Sequence, residues 1–348
     1  MSLLYDLHNG KNAKLPYYIA AFARELLPPR RRDIAAIIEK ARQRDDWPYI
    51  LDRVNYYCKI AAPVTDGATR VRDIPRSAQP STYWHDLREQ MRPFGFDTAI
   101  NWLPGDITHV PPVPSITKSR PIGGDNANSV LLKLDKIRHF IWVDDRVPYE
   151  EKTARAVFRG KVPGKGKRIE FFDRYFGDPR IDLGDSSRHG NPAWHTPRMT
   201  IAEQLRYKWI LALEGFDVAS NLKWVMSSQS VAVMPEPEYE TWFMEGRLQP
   251  DVHYLRIARD FSDLHDRLDW LETHPDEARR IIAAANEWTR QFRDTRRERL
   301  IATLVIAKYL YASAESSTVH SSKCKVQSPF SVHSPKGKVH SLMAADKL

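Results

Sequence analysis

The sequence predicts an α/β protein of two domains, and three observations lead there. The chain has 348 residues, where a typical domain holds roughly 100–200. The apolar runs FIWV at 140–143, WILAL at 209–213 and SVAVM at 230–234 read as buried parallel strands. Helical or loop segments separate these runs, and strand, loop and helix in alternation give a layered α/β domain. The expected division is a first domain at 1–148, a second at 149–312 with closing helices, and a tail at 313–348.

Hydrophobic residues make up 42% of the chain and Trp occurs 10 times, enough apolar mass for a real core and too much for global disorder. The formal charge of +9 asks for an anionic partner: nucleic acid, a phosphorylated small molecule or an acidic membrane surface. Two cysteines, Cys58 and Cys324, make neither a disulfide framework nor a zinc site and fit a reducing compartment. The N-terminus lacks a signal-peptide layout, and no run of about 18 apolar residues spans a bilayer. The expectation is a cytoplasmic protein, soluble or peripheral to a membrane. No helix-turn-helix, zinc or RNP-like pattern supports a nucleic-acid partner.

In chain order, 15–27 reads as a helix with Pro16 in its first turn and Pro28 and Pro29 as its stop. Arg30, Arg31 and Arg32 follow. An aromatic helix beside a basic knot fits an anionic membrane surface, or an ordinary packed helix with a charged loop. Asp33 caps a second helix to about 44. From 61 to 121 prolines cluster, with strands expected at 98–103 and 113–117, then a helix at 129–138 and the 140–143 strand. The second half alternates more regularly: strands at 154–158, 182–184, 209–213 and 230–234, helices at 169–176, 200–207, 220–227, 263–273, 276–292 and 296–314. Thr200 with Glu203 forms a capping-box pattern. The Ser/Lys/His-rich text from 316 to 348 reads as disordered.

Ligands of open α/β sheets bind beyond the carboxyl ends of the strands. Phe158, Arg159 and Gly160 follow a strand; Arg forks onto phosphate and Gly admits a close backbone. The stretch 214–224 runs from an apolar strand through Gly215 and small polar residues into a helix, whose N-terminus offers N–H groups to a phosphate, with Lys223 adding charge. Lys208 lies beside a buried strand. Lys161, Lys165, Lys167 and Arg168 form a second basic knot, in a Gly-containing loop. A surface or snorkelling side chain is the other reading for each cation. No Asp-x-Asp occurs, which favours neutralising a leaving phosphate with Arg, Lys and a helix end rather than a metal.

Taken together, the chain resembles glycosyltransferase family 90, over roughly residues 9–312. The resemblance is carried by FRG at 158–160, YKW at 207–209, EGFDVASNLKWVMSSQSVAVMP at 214–235 and YETWFMEGRLQPDVHYL at 239–255. LHNGKNAKLPYY, RVNYYCK and KSRPI (118–122) in the first half look like its bacterial branch. It implies a GT-B architecture, two Rossmann-like domains facing across a cleft, and inverting, metal-independent transfer from a UDP-sugar to a cell-envelope glycan such as lipopolysaccharide core, with no cofactor. Arg159 and Gly160 fall where the family contacts the donor diphosphate. Gly215, Asp217, Val218, Ala219, Ser220, Asn221 and Lys223 fall where it wraps UDP. The eukaryotic branch carries Arg where this chain has Asn221, so neutralisation is expected to rest on Arg159, Lys208 and Lys223. Lys118, Ser119 and Arg120 fall on the acceptor or sugar side. The family's general base corresponds to Asp106, with Asp125 and Asp144 as competing positions. A protein of this fold that has lost catalysis and only binds glycan or membrane is the rival reading.

Overall fold

The structure, a computed structural model, describes residues 14–60, 67–76, 81–318 and 330. Pro16 lies in the first turn of α1 (Lys14–Glu25), and Pro28 and Pro29 follow its end. Asp33 caps α2 (Ile34–Arg42) by accepting the Ala36 N–H at 3.0 Å. α3 (Trp47–Tyr57), β1 (Thr69–Arg70), α4 (Ser81–Met91), β2 (Ala99–Ile100), β3 (Ser115–Thr117), β4 (Ser119–Pro121), β5 (Ser129–Leu131) and α5 (Lys136–His139) complete the first half. Among the described residues its strands pair only in twos: β1 with β2 antiparallel and β3 with β5 parallel.

The helix expected at 129–138 is not formed. Residues 129–131 pair with 115–117 as β5, and Asp135 takes a left-handed backbone with φ of 53°, which ends the extended segment and lets only a single turn follow. The strand expected at 140–143 is not formed either. Its N–H groups go elsewhere, Phe140 to the Lys136 carbonyl and Val143 to Ser227 Oγ, so the segment is buried but unladdered. An apolar run reports burial, not hydrogen-bond partners.

The second half builds a five-stranded parallel sheet, ordered β11-β9-β8-β6-β7. Its members are β6 (Thr153–Gly160), β7 (Ile181–Asp185), β8 (Tyr207–Leu211), β9 (Val231–Met234) and, after β10 (Tyr239–Thr241), β11 (Leu255–Arg256). The helices are α6 (Gly166–Tyr175), α7 (Ile201–Gln204) behind its Thr200–Glu203 capping box, α8 (Leu222–Met226), α9 (Leu264–Thr273), α10 (Pro275–Arg290) and α11 (Thr295–Thr318). Alternation along the strands sends Val157, Ile210, Ala232 and Met234 into a core shared with the first half. Ala156, Phe158, Trp209, Leu211 and Val233 face the opposite core, under α6, α9 and α10. Helix α11 extends into the segment expected to be disordered, and Phe330 is buried; the rest of that tail lies outside the described residues.

Two links tie the halves. β10 pairs antiparallel with β4, and α11 packs on α3 and α4. At the α3–α11 contact Arg53 and Glu298, both buried, meet at 2.5 Å, and Glu298 also accepts the Trp242 indole N–H at 2.6 Å. Glu298→Ala would leave the Arg53 charge buried without its carboxylate, a loss of about 3–5 kcal/mol. Urea unfolding should show that loss, and Arg53→Met combined with Glu298→Leu should recover much of it. A single variant as stable as wild type would remove this link from the account.

Candidate active site

The carboxyl ends of β6, β8 and β9 converge on one turn. Asn221 Nδ2 donates to the Leu211 carbonyl at 2.9 Å, tying the turn to β8, and the Gly215 N–H bonds the Asp217 carbonyl at 3.1 Å. A Cβ at position 215 would stand 3.2 Å from Arg168 Nη2, so the close approach of guanidinium to backbone needs glycine. Beside the turn a small pocket of about 20 Å³ is lined by Leu213, Glu214, Val218, Ala219, Leu222 and Tyr239 among others. Burial pushes the Glu214 carboxyl up to about 7, against the two backbone N–H groups, of Glu238 and Tyr239, that it accepts.

A cation cluster sits above the turn. Buried Arg168 on α6 forks onto three carbonyls: Leu213 at 2.7 Å, Lys161 at 2.9 Å and Glu214 at 3.0 Å. It thereby clamps the end of β6 to the end of β8. Burial lowers its pKa to about 10. Lys165 Nζ lies 4.1 Å from the centre of the exposed Phe216 ring. Its pKa is lowered by burial and then by its neighbours Arg168 and Lys161. Among the described residues none of these three cations makes an ion pair with a carboxylate. An anion placed beside Lys165 and Arg168 would offset the cost of burying their charges.

The first half contributes a second cluster. Buried Lys118 lies between two carboxylates, 2.5 Å from Asp106 and 2.5 Å from Asp217, and so joins the first half to the turn. Asp106 also accepts from Tyr83 Oη at 2.9 Å and lies 3.4 Å from the Arg138 guanidinium. Burial raises its pKa, but Lys118, Arg138 and Tyr83 outweigh burial and hold it below the usual carboxylate range. Asp217 is shifted upward: burial and the neighbouring Asp106 outweigh Lys118. His139, buried beside this group, is held neutral by burial and by the nearby cations Lys118, Lys223 and Arg138.

The expected site residues divide between these clusters and other places. Asp106, Lys118, Gly215, Asp217, Val218 and Ala219 meet at or beside the turn, with Ser220 exposed on it. Gly160 stands close to Arg168, which a Cβ there would meet at 3.6 Å. Asn221 braces the turn through its side chain. Arg159 is turned back onto β7, 2.6 Å from Asp182. Lys208 lies near the amino end of β8, away from the turn, and pairs with Glu272 at 3.0 Å. Lys223 is fully buried against Glu245 at 2.5 Å. Ser119 bonds the Ile107 backbone, and Arg120 is buried against Glu240 at 2.7 Å. Asp144 is exposed and pairs with Arg146, while exposed Asp125 bonds the Ala127 N–H. The helix expected at 220–227 is only α8, five residues long, so its dipole contributes little.

Arg138, Tyr83 and Glu214 were not among the expected site residues. Arg168 and Lys165 were visible only as members of a charge run after β6. Among the described residues, no three His, Cys, Asp or Glu side chains are grouped to hold a metal ion.

Residues 131–300 match the profile described as glycosyl transferase family 90. The O-glucosyltransferase LpsA of Dichelobacter nodosus is 39% identical over 303 residues, which cover 85% of this chain and 95% of that protein. Shorter stretches are similar to protein O-glucosyltransferase 2 of Danio rerio, 28% identical over 106 residues covering 30% of this chain and 20% of that protein. Protein O-glucosyltransferase 3 of Homo sapiens is 26% identical over 137 residues, 37% of this chain and 26% of that protein.

Proposed function

The chain belongs to glycosyltransferase family 90 and is a glycosyltransferase, and from that premise we propose that it moves a hexosyl or pentosyl unit from a UDP-sugar to a hydroxyl of a cell-envelope glycan. Lipopolysaccharide core is the acceptor we favour, reached from the cytoplasmic side of the membrane. The names of the three relatives support a glucosyl donor and an oxygen acceptor. In this reading the two halves face each other as in a GT-B enzyme, the transfer inverts the anomeric carbon, and no metal takes part.

The observation that carries the donor assignment is the group of Lys161, Lys165 and Arg168 over the Gly215 turn, none of them held in an ion pair among the described residues. The diphosphate lies against those cations, with the uridine alongside the turn. Asp106 takes the proton from the acceptor hydroxyl, whose oxygen attacks the anomeric carbon from the face opposite UDP. The bond to the diphosphate breaks, its electron pair leaves with UDP, and the cations stabilise the charge where it develops. Arg159 joins them only if donor binding draws it from Asp182.

Thermal unfolding with UDP, a panel of UDP-sugars and EDTA tests the reading. Ligand at about 100-fold over Kd should add roughly 2.7 kcal/mol, EDTA should change nothing, and Lys165→Ala should weaken UDP binding about 10-fold by removing one charge-assisted contact. No shift with any uridine nucleotide in a folded sample would remove the donor assignment.

The same site predicts a pH dependence. Glu214, raised to about 7, is neutral below that pH and anionic above it. An anion beside the diphosphate repels it, so the Kd for a UDP-sugar should rise on the order of 3- to 10-fold as pH rises from 6 to 8. Titration calorimetry of wild type and Glu214→Gln should show the dependence in the first and not in the second. An equal slope in both would assign it to another group.

A further inference from the structure

We propose that the outward face of α1, with the arginines that follow it, is a docking surface for an anionic membrane. α1 is docked inside out. Its inward contacts are polar: Tyr17 Oη donates to Asp86 at 2.8 Å, Glu25 pairs with Arg88 at 2.8 Å and Arg24 with Glu89 at 2.9 Å. Tyr17 and Tyr18 turn inward, but its large aliphatic side chains face outward with part of Phe22, whose ring also meets His85: Leu15 is 70% exposed, Ile19 59%, Phe22 44%, and just past the helix Leu26 86% and Leu27 62%. Residues 15, 19, 22 and 26 share one helical stripe. The other exposed large hydrophobics of the described residues are scattered singly along the chain. A helix that only closed a core would turn this stripe inward.

Charge selects the occupant. Arg30, Arg31 and Arg32 are exposed directly after the stripe, and Arg76 lies 4.8 Å from the Phe22 ring centre. Arg31 shares Asp97 with Arg72, whereas Arg30 and Arg32 make no ion pair among the described residues. Apolar side chains rimmed by unneutralised arginines fit acyl chains below and anionic headgroups around them. No helix of the described residues is long and apolar enough to cross a membrane, so the contact is peripheral.

The position also fits the enzyme. α4, which receives Tyr17 on Asp86, presents Tyr83 to Asp106 three residues earlier. One helix therefore separates the proposed membrane face from the proposed base, which brings a lipid-borne acceptor within reach. This step rests on the acceptor reading above, whereas the docking surface does not.

The test is co-sedimentation of the full chain with vesicles of phosphatidylcholine alone or with phosphatidylglycerol, at low and high salt, with UDP binding measured in parallel. Wild type should bind the anionic vesicles and release with salt. Leu15→Ser combined with Ile19→Ser and Leu26→Ser should lose at least about 10-fold in partitioning. Arg30→Gln with Arg32→Gln should lose on the order of 25-fold and flatten the salt dependence, because each arginine near the surface contributes about fivefold. Both variants should keep wild-type UDP affinity and unfolding midpoint, so failure of docking stays separate from failure of the donor site. Wild type that ignores anionic vesicles, or variants that bind as well as wild type, would overturn the proposal. So would a wild-type dimer that the serine variant converts to monomer without any vesicle binding, since a second copy would then cover the stripe.

Discussion

Asp106→Asn is expected to lower kcat by roughly 10²- to 10⁴-fold, the contribution of a positioned general base, while UDP affinity stays within about twofold. Asp106 reaches the donor turn only through Lys118, so it has no contact of its own for the nucleotide to lose. Asn keeps the shape and the bonds from Tyr83 and Lys118 but cannot accept a proton. The pH profile should follow from the environment. Burial raises the Asp106 pKa, yet Lys118, Arg138 and Tyr83 prevail and set it below the ordinary range. The base form is therefore complete at neutral pH, and activity should fall only in acid beyond the range in which an ordinary carboxylate titrates. Asp125→Asn and Asp144→Asn, at exposed positions apart from this cluster, should turn over at near wild-type rates. Steady-state kinetics of the three variants decides. If Asp106→Asn keeps its rate and one of the other two loses it, the base is reassigned.

The legible parts of the fold are those where one physical signal acts alone. β9 and the apolar part of β8 are buried on both faces, so they are continuous apolar runs and stand out, whereas in β6 only 156–158 are buried. α3 and α4 have no such signal. Ile50, Val54 and Tyr57, and Tyr83, Leu87 and Met91, do recur at helical spacing, but Arg53, Thr82, His85 and Asp86 are buried among them and dilute the apolar face that marks a helix. The strands of the first half are two or three residues long, too short for alternation to show.

The site follows the same division. The turn at 214–221 was visible because a glycine follows an apolar strand. The direction of each cation was not. Arg159, Lys208 and Lys223 all lie near strand ends, but Asp182, Glu272 and Glu245 hold them away from the turn or below it. Those partners are 23, 64 and 22 residues distant in sequence, and no local pattern encodes such pairings. Tyr83 and Arg138 reach Asp106 across 23 and 32 residues and escape for the same reason.

Lys118→Met should move the acid limb of kcat/KM upward by about one to three pH units. The ammonium now lies 2.5 Å from both Asp106 and Asp217, so the two carboxylates face each other within about 5 Å, a separation at which like charges raise one pKa strongly. Without Lys118 nothing buried between them offsets the repulsion, and Asp106 becomes partly protonated in mildly acid solution. Activity should drop in mildly acid solution, where wild type is still fully active, and return as pH is raised through neutrality, because the base form is restored there. Lys118→Arg, which keeps the charge, should leave the limb near its original position. Adding Asp217→Asn to Lys118→Met should bring the limb back down, since the repelling charge is gone, even though the double variant is less like the wild type than the single one. A purely structural role for Lys118 predicts something different: a rate loss of equal size at every pH, no recovery at neutral pH and no rescue by Asp217→Asn. The shape of the profile, rather than the size of the loss, therefore separates an electrostatic bridge that sets the base from a buried lysine that only packs the junction of the two halves.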